Sequence, residues 1–512
     1  DIYASRGVSS DADLDRSLTG LIDWRCMKGI KEGAALLADA VIENQKILIV
    51  GDFDADGATS TTVSKRALEA MGAKQVDYLV PNRFDFGYGL TPELVAVALE
   101  DKPDLIMTVD NGIASHAGVL AAKNAGITVV ITDHHLAAET LPQADAIINP
   151  NQPGDNFPSK ALAGVGVAFY TMLALRHELS ERDWFENQAI AKPNMATYLD
   201  IVALGTVADV VPLDKNNRLL VAQGLARMRA GVCVAGIKAL LDVAKKLMNN
   251  VSSQDLGFAV APRLNAAGRM DDMSIGIECL LADDANQAQR YAFELDELNQ
   301  QRKVVEGDMQ LQVMQDLKRL HLAEKKQLPI AMCLFDKSWH QGVIGILASR
   351  VKDKVHRAVV AFACDGDKLI KGSCRSIPGL HIRDVLAEVD ARKPGLIIKF
   401  GGHAMAAGLG IAKKDFQTFK DLFEAVVGDH VQEKDLQGII ESDGELAPAD
   451  FTLRFAEILQ EAGPWGQAFP APLFDGKFKM INQRLLGGKH LKLTLGLQNS
   501  DVLIDAIAFN VD

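Results

Sequence analysis

The chain has 512 residues, 48% of them hydrophobic, and a formal net charge of -13. That length exceeds one ordinary hydrophobic core, so two to four domains are expected. The acidity excludes a surface that is basic throughout, and the longest apolar run, "VGVAFYTMLAL" at 165–175, falls short of the roughly 20 residues that span a bilayer.

In chain order, residues 46–150 alternate short β-branched runs ("KILIV", "DLIMTVD", "ITVVITD", "DAIINP") with helix-like segments such as "TSTTVSKRALEAMG" and "TPELVAVALE". The alternation predicts parallel strands with crossover helices, an α/β fold with a parallel sheet. Residues 155–328 read as mostly helical. From 283 to 328 the only helix-breaking residue is Gly307, so a long connector helix, continuous or kinked there, is expected. A second, smaller α/β unit follows at about 329–425, with strands in "PIAMCLF", "RAVVAFAC" and "GLIIKF". After "PAD" at 448–450 come a helix and β-rich, glycine-punctuated sequence. Its segment "KFKMINQRLLGGKHLK", 477–492, carries five Lys or Arg and no carboxylate, enough for a local basic surface. A soluble hairpin with charged edges reads equally well. Six cysteines, at 26, 233, 279, 333, 364 and 374, form no C-x-x-C pair and suit a reducing cytoplasm. The first residue is Asp1 and not Met, and "AIAFNVD" stops in what reads as a strand, so an incomplete last domain is the expectation.

The chemistry concentrates where strands end. The first runs into "GDFDADG", giving Asp52, Asp54 and Asp56 at alternate positions. Carboxylates so close repel one another, and a divalent cation relieves the repulsion. An EF-hand loop is excluded because its twelfth position is Val63, where a Glu is required, and an apolar strand precedes it. A haloacid-dehalogenase-like D-x-D-x-[TV] motif is excluded because Ala55 or Gly57 would fill its last place. The next such strand ends at Asp110 in "TVDNGI", and the one after at Asp133, His134 and His135. One Asp at a strand end is commonly a helix cap. Three successive strands ending this way point to ligands gathered at the carboxyl edge of a sheet. Asp209 in "LGTVADVVPL" completes the set if the helix before it packs on the same edge. Mixed carboxylate and imidazole donors suit Mn²⁺ or Mg²⁺, and a pair of such ions suits phosphoester hydrolysis.

"DFDADG", "VDNGI", "TDHH" and "GTVADVVP" resemble the four motifs of the DHH phosphoesterase superfamily. The likeness extends over nearly the whole chain through "PNRFDFGYGL", "APRLNAAGRM", "WHQGVIGILASR", "GSCRSIPGLHIRDVL" and "GGHAMAAGLGI". It is greatest to the superfamily's bacterial single-strand-specific 5′ to 3′ DNA exonucleases. That resemblance implies Asp54 and Asp110 at one metal ion and Asp56, Asp110, His134 and Asp209 at a second, with Asp110 shared and His135 facing the scissile phosphate. Many members carry a metal-binding histidine where this chain has Val50, which leaves Asp52 or water as the substitute.

The same resemblance places Arg83, Arg263 and Arg269 at phosphates, and Ser373, Arg375, Gly402 and His403 in a substrate-binding DHHA1 domain that takes the 5′ end. Gly401 and Gly402 would permit close backbone approach; Cys374 stands where a glycine is expected, and Trp339 and His340 read equally as domain core. An OB-like barrel at the C-terminus would track the strand with cations and aromatics, Phe474 and Phe478 among them. The implied division is 1–215 for N-terminal helices and catalytic domain, 216–328 for the helical connector, 329–428 for DHHA1 and 429–512 for the OB-like domain. The implied partners are single-stranded DNA, a single-stranded-DNA-binding protein and a repair helicase, with no membrane, in a cytoplasmic, nucleoid-associated setting of recombination and repair. Two rivals are a phosphodiesterase of short oligonucleotides or cyclic dinucleotides, usually a shorter chain, and a non-catalytic replication scaffold, which would have lost metal carboxylates that are all present here.

Overall fold

The computed structural model describes residues 2–82, 89–138, 140–324, 328–488, 490–497, 501–509 and 511. The chain divides into two units, one of Asp1–Asn265, Met273–Phe293 and Glu441–Asp512, the other of Ala266–Asp272 and Glu294–Ile440.

In the first unit, strands β1 (Ile47–Gly51), β2 (Val76–Leu79), β3 (Leu105–Val109), β4 (Thr128–Thr132) and β5 (Ala146–Ile148) form a parallel sheet in the order β2-β1-β3-β4-β5. Strands β1 and β3 are buried at every residue, as expected of a parallel sheet covered on both faces. Alternate side chains go to opposite faces. Leu48, Val50, Ile106, Val129 and Ile131 form one core with the helices α1 (Pro92–Ala98) and α2 (His116–Asn124). Val50, at the place of the family histidine, is fully buried in that core and offers nothing to a metal. Strand β2 has no counterpart in the sequence reading, but it adds to the outer edge, so β1, β3 and β4 remain neighbours. Their register pairs Gly51 with Val109 and Val109 with Thr132. Asp52, Asp110 and Asp133 are therefore the next residues in line across three adjacent strands.

The helix Gly164–Glu181, which contains the longest apolar run, lies buried in this unit, and no helix among the described residues is long and apolar enough to cross a membrane. A second long helix, Ala285–Glu324, continues through Gly307 without a break. In the second unit the sheet order is β6-β7-β8-β10-β9, for strands β6 (Ala331–Phe335), β7 (Ala358–Asp365), β8 (Leu369–Arg375), β9 (Ile397–Gly402) and β10 (Ala406–Ala412). Only β6 and β7 run parallel; the rest of the sheet is antiparallel. Along β7 the faces alternate. Val359, Ala361 and Ala363 pack with Trp339 and Leu347, while Ala358, Val360 and Phe362 pack with Leu386 and Phe423. Trp339 is thus a core residue, and Cys374 is fully buried in the second of these cores.

The C-terminal segment ends in an antiparallel sheet of β11 (Phe478–Leu486), β12 (His490–Leu497) and β13 (Leu503–Ala508). Phe478 lies edge-on to Phe451, and Phe474 is tilted against Phe455. Lys492 of the basic hairpin is paired with Asp505 at 2.9 Å. The segment is fastened to the start of the chain by Arg6, whose guanidinium donates to both carboxylate oxygens of Asp443 at 2.7 and 2.8 Å, with both side chains largely buried. That hydrogen bond and charge, aided by the Leu473 N–H and only partly opposed by burial, hold the Asp443 carboxyl down to about 2. A carboxyl depressed on folding stabilises the native state above its unfolded value near 4, and the stabilisation is lost as pH falls toward 2. Asp443→Asn should lower the thermal midpoint by about 2–4 °C at pH 7. The difference from the unmutated protein, followed by calorimetry, should shrink as the pH is lowered through that window.

Candidate metal centre

Three of the acidic side chains at the sheet edge, Asp54, Asp56 and Asp133, are held by backbone N–H groups. Asp54 begins the helix Ala55–Ala70 as its N-cap, accepting from the N–H groups of Asp56 and Gly57 at 2.9 and 3.0 Å. Ala55 N–H is taken by Asn265 Oδ1 at 2.9 Å. Asp56 turns inward and accepts from the N–H groups of Gly164 and Val165, 2.7 and 2.8 Å away, at the start of the helix Gly164–Glu181. A helix N-terminus favours a negative charge there. The helix comes this close because residue 164 has no side chain: a Cβ on it would lie 2.6 Å from Asp110 Oδ1. Asp209 follows the last residue of the helix Leu199–Ala208.

His134 is the hub. Its Nε2 lies 3.1 Å from Asp110 Oδ1, 3.5 Å from Asp209 Oδ2 and 3.9 Å from Asp56 Oδ2. Ligand atoms of Asp52, Asp54 and Asp110 fall within 4.8 Å of one another, as do those of Asp56, His134 and Asp209, and those of Asp110, His134 and His135. Asp110 and His134 thus each belong to two groups. Two unit charges at such separations repel by roughly 3–4 kcal/mol even at an effective dielectric constant near 20. Burial, reinforced by Asp54, accordingly pushes the Asp56 carboxyl up to about 7. Burial and then the surrounding carboxylates raise Asp110 and Asp209 well above the ordinary range. An oxygen-rich set with one imidazole, unable to carry all its charges in the absence of a cation, fits hard divalent ions such as Mn²⁺ or Mg²⁺.

Asp133, part of the "TDHH" run but given no role from sequence, is fully buried and accepts from the N–H groups of Ile113, His134 and His135 and from His135 Nδ1 at 2.7 Å. Burial alone would lower the His135 pKa; the Asp133 bond and charge, with Asp209 and Asp52 behind them, outweigh it and raise the pKa to about 9. The imidazolium is thereby kept charged at neutral pH beside the cluster. The backbone is strained at two of these points. Asp110 has φ of 60° and Val210, directly after Asp209, has φ of 59°, in the left-handed region that β-branched residues in particular avoid.

The remaining sequence candidates divide by unit. Arg83 lies outside the described residues. Arg263, in the first unit, is largely buried and donates to Ala259 O at 2.6 Å. In the second unit, Arg269 Nη1 reaches Gly342 O at 3.3 Å. Arg375 lies on β8 beside Ser373, donating to Ser373 Oγ and Ser349 Oγ at 3.1 and 3.0 Å. A Cβ on Gly345, in the first turn of the helix Ile344–Val355, would meet both Arg375 and Ser373. Gly402 ends β9 with φ of 142°, and a Cβ there would strike the Ala406–Ala407 backbone. His403 N–H closes onto Ala406 O at 2.8 Å. Ser373 and Arg375 on β8 thus lie one strand away from Gly402 and the adjoining His403, across β10 in the same sheet. Gly401 has open space where a Cβ would be.

Family models match residues 46–206 (DHH family, N-terminal domain), 327–429 (DHHA1 domain) and 442–512 (RecJ OB domain). The single-stranded-DNA-specific exonuclease RecJ of Dickeya dadantii is 54% identical over all of this chain and 88% of its own length. The chain belongs to the RecJ family. The family's Escherichia coli member is 53% identical over the same shares. Its Thermus thermophilus member, crystallised with Mn²⁺, superposes with a TM-score of 0.78 at 31% identity, covering 99% of this chain and 71% of that one. The Thermus thermophilus protein was also crystallised with Mg²⁺.

Gly164→Ala should push the Asp110 carboxyl aside and weaken Mn²⁺ binding about 10–100-fold, as measured by isothermal titration calorimetry, with the circular dichroism spectrum unchanged. In Asp133→Asn the His135 imidazole should titrate well below 9, closer to the ordinary histidine value, when followed by NMR.

Proposed function

We propose that the chain is a metal-dependent exodeoxyribonuclease that removes nucleotides from the 5′ end of single-stranded DNA, in recombination and repair. The observation that carries this reading is the convergence of Asp56, Asp110 and Asp209 on His134, in a chain whose family is named for hydrolysing single strands. Asp52, Asp54 and Asp110 would hold one divalent ion, and Asp56, Asp110, His134 and Asp209 a second. When bound, such ions supply the charge that activates a water and stabilises the leaving oxygen of a phosphodiester.

The protein's own groups do the rest. His135, kept protonated by Asp133, donates to a non-bridging phosphate oxygen. Arg83, Arg263 and Arg269 contact the strand's phosphates. Ser373, Arg375, Gly402 and His403 receive the terminal phosphate, where a guanidinium with no carboxylate partner among the described residues and backbone free of side chains can both approach an oxyanion. None of these groups reads a base edge, which suits a nuclease without sequence preference. The division into 1–215, 216–328, 329–428 and 429–512 assigns catalysis to the first segment and strand binding mainly to the last two, with Arg263 and Arg269 adding phosphate contacts from the second. Partnership with a single-stranded-DNA-binding protein and a repair helicase, at the nucleoid, belongs to the same reading.

The test is digestion of 5′-labelled and 3′-labelled single strands in Mn²⁺. The 5′ label should be released first, EDTA should abolish release, and Asp110→Ala should lower the rate by at least ~10²-fold. Early release of the 3′ label would reverse the polarity, and undiminished activity in the variant would refute the mechanism.

A further inference from the structure

A cavity of about 290 Å³ lies in the first unit, lined by residues outside the aspartate cluster, among them Arg16, Arg229, Leu459, Pro464 and Trp465. Both arginines are anchored through neutral backbone. Arg16 Nη2 donates to the carbonyls of Glu461 and Ala462 at 2.9 and 3.1 Å, and Arg229 Nε donates to Val251 O at 2.8 Å. Neither forms an ion pair among the described residues, in contrast to Arg6, Arg66, Arg182, Arg302 and Arg392. Burial and then the Arg16 charge lower the Arg229 pKa, while Glu461, which lines the same cavity, acts in the opposite sense. Two fixed cations facing one cavity are relieved by an anion. The apolar residues in the same lining suit a ligand that is half phosphate and half ring.

One helical stretch runs from the cavity to the aspartate cluster. Ser253 lines it and begins a helical stretch, with a π turn at Leu256–Val260, that continues through Ala261–Met270. On that stretch Asn265 accepts from Ala55 N–H, next to Asp54 and Asp56. A dozen residues of helix span roughly 18 Å. A stacked strand advances about 3.4 Å per nucleotide, so roughly five nucleotides separate the two points.

We propose that this cavity is a second phosphate subsite for the single strand, gripping the backbone several nucleotides from the scissile bond through Arg16 and Arg229, with sugar or base against Pro464 and Trp465. The inference rests on the exonuclease reading given above. On a chain of net charge -13 a polyanion is held best where cations are not locked into ion pairs with the protein's own carboxylates, and neither Arg16 nor Arg229 forms one among the described residues.

The test compares the full chain with an Arg16→Ala/Arg229→Ala variant. Binding of a labelled oligonucleotide of about 30 nucleotides is followed by anisotropy across a KCl series, with Ca²⁺ in place of Mn²⁺, and hydrolysis is followed on that strand and on a trinucleotide. The slope of log K against log[KCl] should become shallower by about 1.4, since each phosphate contact to a single strand contributes about 0.7. The loss of hydrolysis should be confined to the longer strand. An Arg16→Lys/Arg229→Lys variant should restore the slope, which keeps the test decisive if the alanine variant folds poorly. An unchanged slope, or an equal loss on both substrates, would overturn the inference. Failure of the unmutated chain to cut either strand would instead overturn the exonuclease reading.

Discussion

Mutual repulsion among buried carboxylates is the constraint that the catalytic unit is organised around. Asp52, Asp56 and Asp110 are all nearly inaccessible to water, and Asp54 and Asp209 lie among them. Left to themselves, such groups would move apart or take up protons. The fold prevents the first. Three strands in fixed register deliver Asp52, Asp110 and Asp133 side by side, a helix start fixes Asp56, and a helix end delivers Asp209. The second suits the function proposed above: a site whose carboxylates are driven to hold protons would exchange them for divalent cations with a net electrostatic gain.

The cost of this arrangement is visible in the backbone. Asp110 and Val210 adopt left-handed conformations worth of order 1–3 kcal/mol each in strain. Both positions flank or constitute groups that touch His134. Buried strands and the helix Leu199–Ala208 on either side over-determine these conformations, so that packing energy from the core is converted into placement of the ligands. Asp133 shows the same logic without strain. It satisfies three backbone N–H groups and one imidazole at once, and so fixes both histidines from beneath.

An acidic chain that acts on a polyanion must separate its charges. Many of the described arginines are neutralised locally; Arg302, for instance, is joined to Glu306, which also takes Arg350. Those left without a carboxylate partner, such as Arg375 on β8, are fixed by hydroxyls and carbonyls that hold their geometry and leave the charge available. Overall charge says little about what such a protein binds, because phosphate recognition depends on the few cations whose neighbours are neutral.

The sequence by itself determined the strands β1, β3 and β4, the identity of the acids that terminate them, and the family, because β-branched runs and fixed motif spacing are local properties of the chain. It could not reveal β8 and β10. Their sequences, "LIKGSCR" and "AAGLGIA", carry only one β-branched residue each and become strands by pairing with β7, with β9 and with each other. Nor could it show that Val50 points into the core while Asp52 joins Asp54, that Cys374 is packed away from Ser373 and Arg375, or that Gly164 lets a helix start reach Asp56 and Asp110. Each of these depends on which face a side chain takes and on what arrives from a hundred residues away, and only the packed chain decides that.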